Sequence, residues 1–531
     1  MKQSNYLIKF ILFMAVIGSV QAVPSDYVVM TWSEANGLVA EYHQVVDLPS
    51  NRFLKSDPAS DHTLALLDEK GQVLANISLK DELITRSEFH GHHHIDGRAF
   101  LNEEVTFVVR VPQGLVKQIQ LPFMTDKQSD MVDYQSLIDA AVKRGPQTVK
   151  TAKATIDNRI NLLFMGDGYT NAQMNDFNTD VNNVISYMQT FEPYKSYAGF
   201  VSYDRLFTAS AQSGADKPSP CFASPSFVNT AFDAKFCTSS IERLLTVNST
   251  KIYTAAAANP DWDEITVIVN DDVYGGSGGA FSTISTNQFS DDIFVHEYGH
   301  SFTDLADEYT SPYPGFPACS DVSGSSPCEA NVTDVTNRNN IKWNYLIIGA
   351  TPVPTPDTAP YSQVVGLFEG ARYLVNGMYR PQSNCNMNAL GFDFCAVCQE
   401  AYVRKVYQVP YAGGGLISRI EPMTQEPANP SPDGMVSVMK QFSVDTLQPD
   451  HDLTVTWFVD GASQGSYSSS QVTQSFQYTP SSTGIKQIKV RVKDNSALVD
   501  GSQHGSLPQF EHVWQFNVMP AVDLIFENGF E

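Results

Sequence analysis

The stretch FVHEYGHSFTDLADEY, residues 294–309, places two histidines and four carboxylates within sixteen positions. In a helix, residues four apart lie on the same face, so His296 and His300 would stand one above the other. Two imidazoles at this spacing can hold one metal ion, with nitrogen–metal distances of about 2 Å. The stretch therefore requires a helix, and this helix must end early enough for a third ligand to reach the same ion.

His296, Glu297 and His300 form the HExxH motif of zinc peptidases. A Zn²⁺ ion held there would acidify a water molecule and polarise a carbonyl, and Glu297 would accept the proton of that water. The apolar stretch DEITVIVN (263–270) and the Gly-rich VYGGSGG (273–279) precede the motif, which is the strand–loop–helix context that it needs. We predict His296 and His300 as zinc ligands and Glu297 as the catalytic base.

The third ligand must be a carboxylate, unless another domain reaches in, because residues 155–410 contain no histidine besides these two. Asp307 is seven residues past His300, which a straight helix would place roughly 10 Å along its axis. The helix must therefore break first, and Asp304 is suited to the break because aspartate adopts the left-handed conformation readily. We predict Asp307 as the third ligand. The alternatives are Glu308, Asp304, Glu329 and Glu369.

The rest of the chain predicts several domains around this site. We expect a multidomain fold with a central α/β, metzincin-like zinc-peptidase domain, an N-terminal antiparallel β domain and a C-terminal immunoglobulin- or PKD-like β-sandwich. The expected bounds are 1–22 for a signal peptide, 23–130 for the N-terminal domain, 131–154 for a connector, 155–410 for the catalytic domain, 415–520 for the sandwich and 521–531 for a tail.

The N-terminus has the pattern of a secretory signal peptide. Lys2 and Lys9 accompany the apolar run FILFMAVIGSV, and small residues precede Val23. The run is shorter than the roughly 20 residues that a membrane span needs. We therefore expect a secreted or periplasmic protein.

The formal net charge of −24 argues against nucleic acid or an anionic membrane as partner. The acidic surface is compatible with bound Ca²⁺, and the expected partner is a protein or peptide substrate.

The seven cysteines predict disulfides with one thiol left over. Their spacing pairs Cys221 with Cys237 and Cys319 with Cys328. Cys385, Cys395 and Cys398 remain, and the spacing does not decide which of the three stays free. We expect a structural role for the CAVC pair, because no thioredoxin-like context surrounds it.

Three further stretches carry weaker predictions. In GMYRPQSNCNMN (377–388), Met387 or Met378 would form an apolar floor under the metal, and Tyr379 would donate to the oxyanion; a disulfide-pinned loop is the alternative. VYGGSGG is either an edge strand that aligns a peptide by main-chain pairing or a flexible loop. EFHGHHHIDG (88–97) is expected to be an exposed loop that binds metals opportunistically.

Four of these stretches together resemble the bacterial IgA-peptidase family of zinc metallopeptidases: LLFMGDGYT, ASAQSGAD, HEYGHSFTDLADEY and GMYRPQSNCNMN. The resemblance covers roughly residues 24–410. It implies zinc at His296 and His300, a catalytic Glu297 and a third ligand from the carboxylates of DEY. The sequence departs at Asp304, where the family carries glycine.

The expected function is an exported zinc endopeptidase that cuts extracellular proteins. The alternatives are an inactive binding or adhesion protein and a cell-wall amidase. The resemblance does not imply that immunoglobulin is the substrate of this protein.

Overall fold

The computed structural model describes residues 22–49, 63–79, 82–87, 98–121, 130–144, 159–313, 316–324, 326–408, 416–417, 425–426, 431, 433–499 and 508–521. The predicted signal peptide up to residue 21, the histidine-rich stretch 88–97 and the tail from residue 522 lie outside these ranges. Within them the chain is mostly β-strand, in several separate sheets, with few helices. No helix in these ranges is both long and apolar enough to cross a membrane.

The N-terminal part is antiparallel β structure with one helix. Two sheets have the orders β2-β1-β7 and β4-β3-β8-β9, and β5 and β6 form a hairpin. Alternate residues of β7 are buried, as expected for a strand with one face on a core. Leu137 and Ile138 of α1, a helix within the predicted connector, pack into this core. The elements are β1 (Ala22–Ser33), β2 (Gly37–Pro49), β3 (Thr63–Leu67), β4 (Val73–Ser78), β5 (Ile84–Ser87), β6 (Arg98–Leu101), β7 (Glu104–Pro112), β8 (Gln118–Leu121), β9 (Asp130–Asp133) and α1 (Tyr134–Arg144).

The central part is built on a five-stranded sheet of order β11-β10-β12-β14-β13. Four strands are parallel, and β13 pairs antiparallel at one edge. Every residue of β10 is buried, which is why INLLFMGD is almost continuously apolar. The elements are β10 (Ile160–Asp167), α2 (Met174–Met188), β11 (Val201–Leu206), α3 (Ser249–Ala256), β12 (Glu264–Val269), β13 (Gly276–Ser277), β14 (Ser282–Ser285), α4 (Ser290–Ser301), β15 (Phe368–Ala371), β16 (Leu374–Arg380) and α5 (Ala396–Gln408).

The C-terminal part consists of two sheets, β17-β19-β22 and β18-β24-β23-β20-β21. Aromatic contacts join the sheets: Phe442 meets Trp514, and Trp457 stacks on Phe476. The immunoglobulin- or PKD-like assignment itself stays a prediction. The strands are β17 (Gln425–Glu426), β18 (Gly434–Met435), β19 (Lys440–Asp445), β20 (Leu453–Val459), β21 (Ala462–Ser469), β22 (Thr473–Tyr478), β23 (Gly484–Asp494) and β24 (Gln509–Met519).

A buried aspartate joins the C-terminal sheets to the central part. Asp494 accepts hydrogen bonds from the hydroxyls of Tyr197, at 2.6 Å, and Tyr407, at 2.7 Å. His451 Nε2 lies 2.6 Å from its other oxygen. Because Tyr197 and Tyr407 belong to the central part, one carboxylate ties two segments of the chain together.

Candidate metal centre

Helix α4 carries the HExxH motif through the interior. It follows β14, packs against β13, β14 and α2, and is buried at nearly every position from Ser290 to His300. A side chain at Gly299 would come within 2.9 Å of Met387 Sδ, so this glycine lets the methionine approach the helix. Met387, one of the two predicted floor residues, therefore lies against the motif. Met378 packs elsewhere, with Ala306.

Three predicted ligand atoms converge beside α4. The Nε2 atoms of His296 and His300 are 3.1 Å apart, and Asp307 Oδ1 lies 3.2 Å from the first and 3.1 Å from the second. Ligands held about 2 Å from a tetrahedral ion are separated by about 3.3 Å. All three residues are buried. The chemistry and the spacing of these atoms therefore fit a zinc ion.

The chain reaches this arrangement by turning at Asp304. This residue has φ 56°, the left-handed conformation predicted there. Its backbone N–H still donates to the carbonyl of His300, at 3.0 Å, and the chain then leaves the helix axis. The Asp304 side chain points outward to Lys405, so it is not part of the cluster.

Further contacts orient each of the three predicted ligands. His296 Nδ1 lies 3.0 Å from the carbonyl oxygen of Asn386, and His300 Nδ1 lies 2.7 Å from that of Leu305. These contacts leave both Nε2 atoms directed at the cluster. The hydroxyl of Tyr373 donates to Asp307 Oδ2. Burial opposes ionisation of Asp307, but the two histidines hold the pKa of its carboxyl well below the usual range.

Asp307 is the predicted carboxylate that contacts both imidazoles. Glu329 instead pairs with Arg372 at 2.8 Å, and Glu369 accepts from the backbone N–H of Gly377 at 3.0 Å. Glu308 faces a different cluster, described below. The ligand role of Asp307 remains a proposal that these contacts favour.

Tyr373 was not anticipated, because it occupies the turn between β15 and β16 and no local motif marks it. Its backbone N–H donates to the carbonyl of Tyr309, at 3.0 Å, and this contact brings the turn to the DEY segment. The predicted oxyanion donor, Tyr379, has no described contact with the cluster. Its hydroxyl interacts with Glu369, and its backbone pairs with Thr333. Burial and Glu369 raise the pKa of Tyr379.

Glu297 is buried and packs against Gly278, immediately after β13. A side chain at Gly278 would lie 1.5 Å from Glu297 Oε2, so only glycine leaves room for the carboxylate. Gly278 also pairs with Arg86 of β5 through two backbone hydrogen bonds, of 2.9 and 3.1 Å. The predicted edge strand exists, but the N-terminal part already occupies this position of the edge.

Among the residues that the structure describes, one small cavity lies beside the predicted ligands. A cavity of about 10 Å³ touches His300, Asp307, Tyr373 and Arg86, which is room for about one water molecule. A larger cavity, of about 570 Å³, lies between the β5–β6 hairpin and the segment around Gly278. It borders the loop that holds Glu297 but does not include the three ligands.

A second ligand cluster lies close by. The disulfides Cys221–Cys237 and Cys319–Cys328 are present, which confirms both predicted pairs. The remaining cysteines form no disulfide with one another; they are buried and surround the carboxylate of Glu308. Burial raises the pKa of Glu308 well above its usual range. The three thiols are those of Cys385, Cys395 and Cys398.

Comparison with known proteins identifies the central part. The model of the family described as IgA Peptidase M64 matches residues 149–360 and 357–406. This match supports an IgA-peptidase-like metallopeptidase family for the central part, residues 149–406. This confirms the resemblance found in the sequence and indicates a peptidase. A search of curated proteins finds no match.

Similarities to solved structures are weak. A CARDB domain of the PF1109 protein from Pyrococcus furiosus is 17% identical, covers 18% of this chain and 87% of its own, and has a TM-score of 0.13. A lytic polysaccharide monooxygenase of Jonesia denitrificans is 14% identical, covers 18% and 63%, and has a TM-score of 0.13. A β-glucuronidase of Bacteroides uniformis is 9% identical, covers 95% and 58%, and has a TM-score of 0.15. At such TM-scores these similarities carry no argument.

Proposed function

We propose that this family member is an exported, zinc-dependent endopeptidase of extracellular proteins, with His296, His300 and Asp307 as zinc ligands and Glu297 as general base. The convergence of two imidazole nitrogens and one carboxylate oxygen, 3.1–3.2 Å apart, carries the proposal. Its donor set, two histidines and one carboxylate, is that of catalytic zinc sites, which keep a fourth position for water.

The residues divide the chemistry between them. When bound, zinc would lower the pKa of a water molecule and polarise the scissile carbonyl. Glu297 would take the proton of this water and pass it to the leaving amine. The carbonyls of Asn386 and Leu305 fix which nitrogen of each imidazole faces the ion, and Tyr373 orients Asp307. Donation by Tyr379 to the oxyanion remains part of the prediction without support from the described contacts.

We also propose the domain assignments that the sequence predicts. We assign residues 155–410 to a metzincin-like catalytic domain and 415–520 to an immunoglobulin- or PKD-like sandwich, with removal of residues 1–22 on export. The two disulfides are in keeping with an oxidising compartment. A structural Ca²⁺ ion stays a prediction: of the two ligand groups found in the described residues, neither consists of oxygen donors alone.

The deciding experiment measures zinc and hydrolysis in the same preparation. We expect bound zinc in the purified chain, casein hydrolysis that a chelator abolishes, and a Glu297→Gln variant that keeps zinc yet loses nearly all turnover. Turnover retained in Glu297→Gln would remove Glu297 from the base role. Zinc without hydrolysis of any peptide in a library would favour the binding protein, and release of peptide from peptidoglycan would favour the amidase.

A further inference from the structure

The three unpaired cysteines and Glu308 have the geometry of metal ligands. The Sγ atoms of Cys385 and Cys398 are 3.7 Å apart, and those of Cys395 and Cys398 are 3.5 Å apart. Thiolates about 2.3 Å from a tetrahedral zinc ion are separated by about 3.8 Å, whereas disulfide sulfurs are about 2.05 Å apart. Cys398 Sγ also lies 3.5 Å from Glu308 Oε1, close to the sulfur–oxygen separation of about 3.5 Å in such a site.

Glu308 supplies an independent observation. The residue is fully buried, and Oε1 accepts a hydrogen bond from Asn331 Nδ2 at 2.9 Å. Oε2 is buried and has no hydrogen-bond partner among the residues that the structure describes. A buried carboxylate without full compensation is costly, and a bound cation removes that cost. The carboxylate therefore indicates a ligand that is positively charged.

We propose that Cys385, Cys395, Cys398 and Glu308 bind a second zinc ion. Thiolate donors select soft or borderline metals, and four protein ligands close the coordination sphere, so this ion would be structural. The backbone N–H of Cys395 donates to Cys385 Sγ at 3.2 Å, a contact that supports a thiolate at this position. The site is distinct from the catalytic one, which contains no sulfur.

This second ion would hold the catalytic ligands in place. Glu308 follows Asp307 directly, and its backbone N–H donates to the carbonyl of Met387 at 2.8 Å. Asn386, the neighbour of Cys385, holds His296 Nδ1 through its carbonyl. One ion would therefore clamp the segments that position Asp307 and His296.

Thiol counting tests the second site without any variant. The unmodified full-length chain, denatured with a chelator but without reductant, should show three reactive thiols, and the same chain before denaturation should show none. Elemental analysis should give two zinc ions per chain. One thiol per denatured chain would mean that two of the three cysteines form a disulfide, and would overturn the proposal.

Cobalt substitution separates the two sites. Co²⁺ bound by thiolates has a sulfur-to-metal charge-transfer absorption in the near ultraviolet. This band should disappear in Cys398→Ser and persist in a His296→Ala/His300→Ala variant. The reverse pattern, or no such band in the cobalt-loaded wild-type chain, would contradict the second site. Because the band does not depend on hydrolysis, the result stands even where the proposed peptidase activity fails.

A second inference concerns β5 and rests on the proposed function. Arg86 is buried, lines the small cavity with His300 and Asp307, and pairs its backbone with Gly278. Among the described residues, the cavity beside the predicted ligands measures about 10 Å³, which is too small for a peptide. We infer that β5 covers the zinc site and must separate from Gly278 before a substrate binds.

A reversible cross-link tests this inference. Ser87 and Ser277 follow the Arg86–Gly278 pair in antiparallel register, so Ser87→Cys with Ser277→Cys should form a disulfide. The cross-linked chain should lose casein hydrolysis and release zinc to a chelator more slowly, and mild reduction should restore both rates. Each single variant, and wild type treated with the same reductant, serves as control. Cross-linked protein whose zinc release and hydrolysis match those of the single variants would contradict the inference.

Discussion

At the candidate metal centre, the contacts of neighbouring residues indicate different roles for them. Asp307 reaches both imidazoles, while its neighbours Ala306 and Glu308 face an apolar cluster and the cysteine cluster respectively. Two adjacent carboxylates thus belong to different groups of side chains that could hold a metal ion. The segment from Asp304 onward lies outside any helix, so its consecutive side chains do not share a helix face and can reach different clusters.

Replacement of Asp307 should release the catalytic metal. We expect Asp307→Ala to weaken zinc binding at that site by about 100-fold or more, because it removes a charged ligand and leaves Tyr373 without its acceptor. Competition with a chelator measures the affinity. Asp304→Gly is the matched control, since Asp304 lies three residues away, faces Lys405 and should be dispensable for zinc. Equal zinc affinity in the two variants would refute the ligand assignment.

Gly278 should be required for turnover. The Cβ of Gly278→Ala would overlap the Glu297 carboxylate, so either the loop or the base must shift. A displacement of about 1 Å can cost about 100-fold in rate. We expect turnover of casein to fall by that factor while zinc content stays at the wild-type level. Gly349→Ala, where a side chain meets open space, is the control and should stay active. An active Gly278→Ala would show that the base has room to move.

At the scale of elements, the end of α4 decides whether the site forms. The helix must stop before Asp307, and Asp304 stops it with a positive φ of 56°. The turn after β15 then returns the chain, with Arg372 donating its backbone N–H to the carbonyl of Asp307 at 2.9 Å. The helix end and the hairpin turn hold Asp307 between them.

A β-branched residue at this turn should disturb the helix end. Valine strongly disfavours the left-handed conformation, so Asp304→Val should lower the free energy of unfolding by about 1–2 kcal/mol. Asp304→Gly should be tolerated, since glycine adopts this conformation without strain. Thermal unfolding of both variants, together with their zinc content, measures the effect. Two variants with the same stability would indicate that the turn carries no conformational demand.

At the scale of the whole molecule, the Asp494 contacts couple the C-terminal sheets to the central part. The hydrogen bond with Asp494 raises the pKa of His451. Burial opposes ionisation of Asp494, but hydrogen bonds from His451, Tyr197 and Tyr407 lower its pKa. Protonated His451 and ionised Asp494 therefore stabilise the association of these two parts.

The sign of the pH dependence follows from these shifts. The contribution of His451 is complete below its unfolded pKa of about 6.5 and is lost as the pH rises through the higher folded value. The contribution of Asp494 is complete above its unfolded pKa of about 4 and is lost as the pH falls through the lower folded value. The pair is therefore fully formed between roughly pH 4 and 6.5.

His451→Gln should remove this dependence. We expect its melting temperature to lie about 3 °C below that of wild type near pH 6 and to approach the wild-type value in alkaline solution. Calorimetry across this pH range provides the measurement. His512→Gln, a change on the same C-terminal sheet but away from Asp494, is the control. A difference between wild type and His451→Gln that does not vary with pH would exclude the ion pair as its source.

The local spacing of residues in the sequence predicted those features of the candidate site that involve residues close together in the chain. Asp307 and the turn at Asp304 were predicted from three features: the spacing of His296 and His300, the shortage of other histidines, and the rise per residue of a helix. The two disulfides were predicted from the spacing of the cysteines alone. The two disulfides and the positive φ of Asp304 are confirmed, because each concerns residues within one short loop or one turn. Asp307 contacts both imidazoles, and its role as a ligand stays a prediction.

By itself, the sequence determined the donor types of the proposed metal centre, the need for a helix that ends after the second histidine, and the resemblance of the central part to the IgA-peptidase family. Only the tertiary structure decided which tyrosine meets Asp307, where Glu308 points, that three cysteines gather around it, and that β5 pairs with Gly278. These contacts join segments far apart in the chain, from Arg86 to Cys398. These contacts depend on how helices and strands pack against one another. The spacing of residues along the chain does not predict this packing.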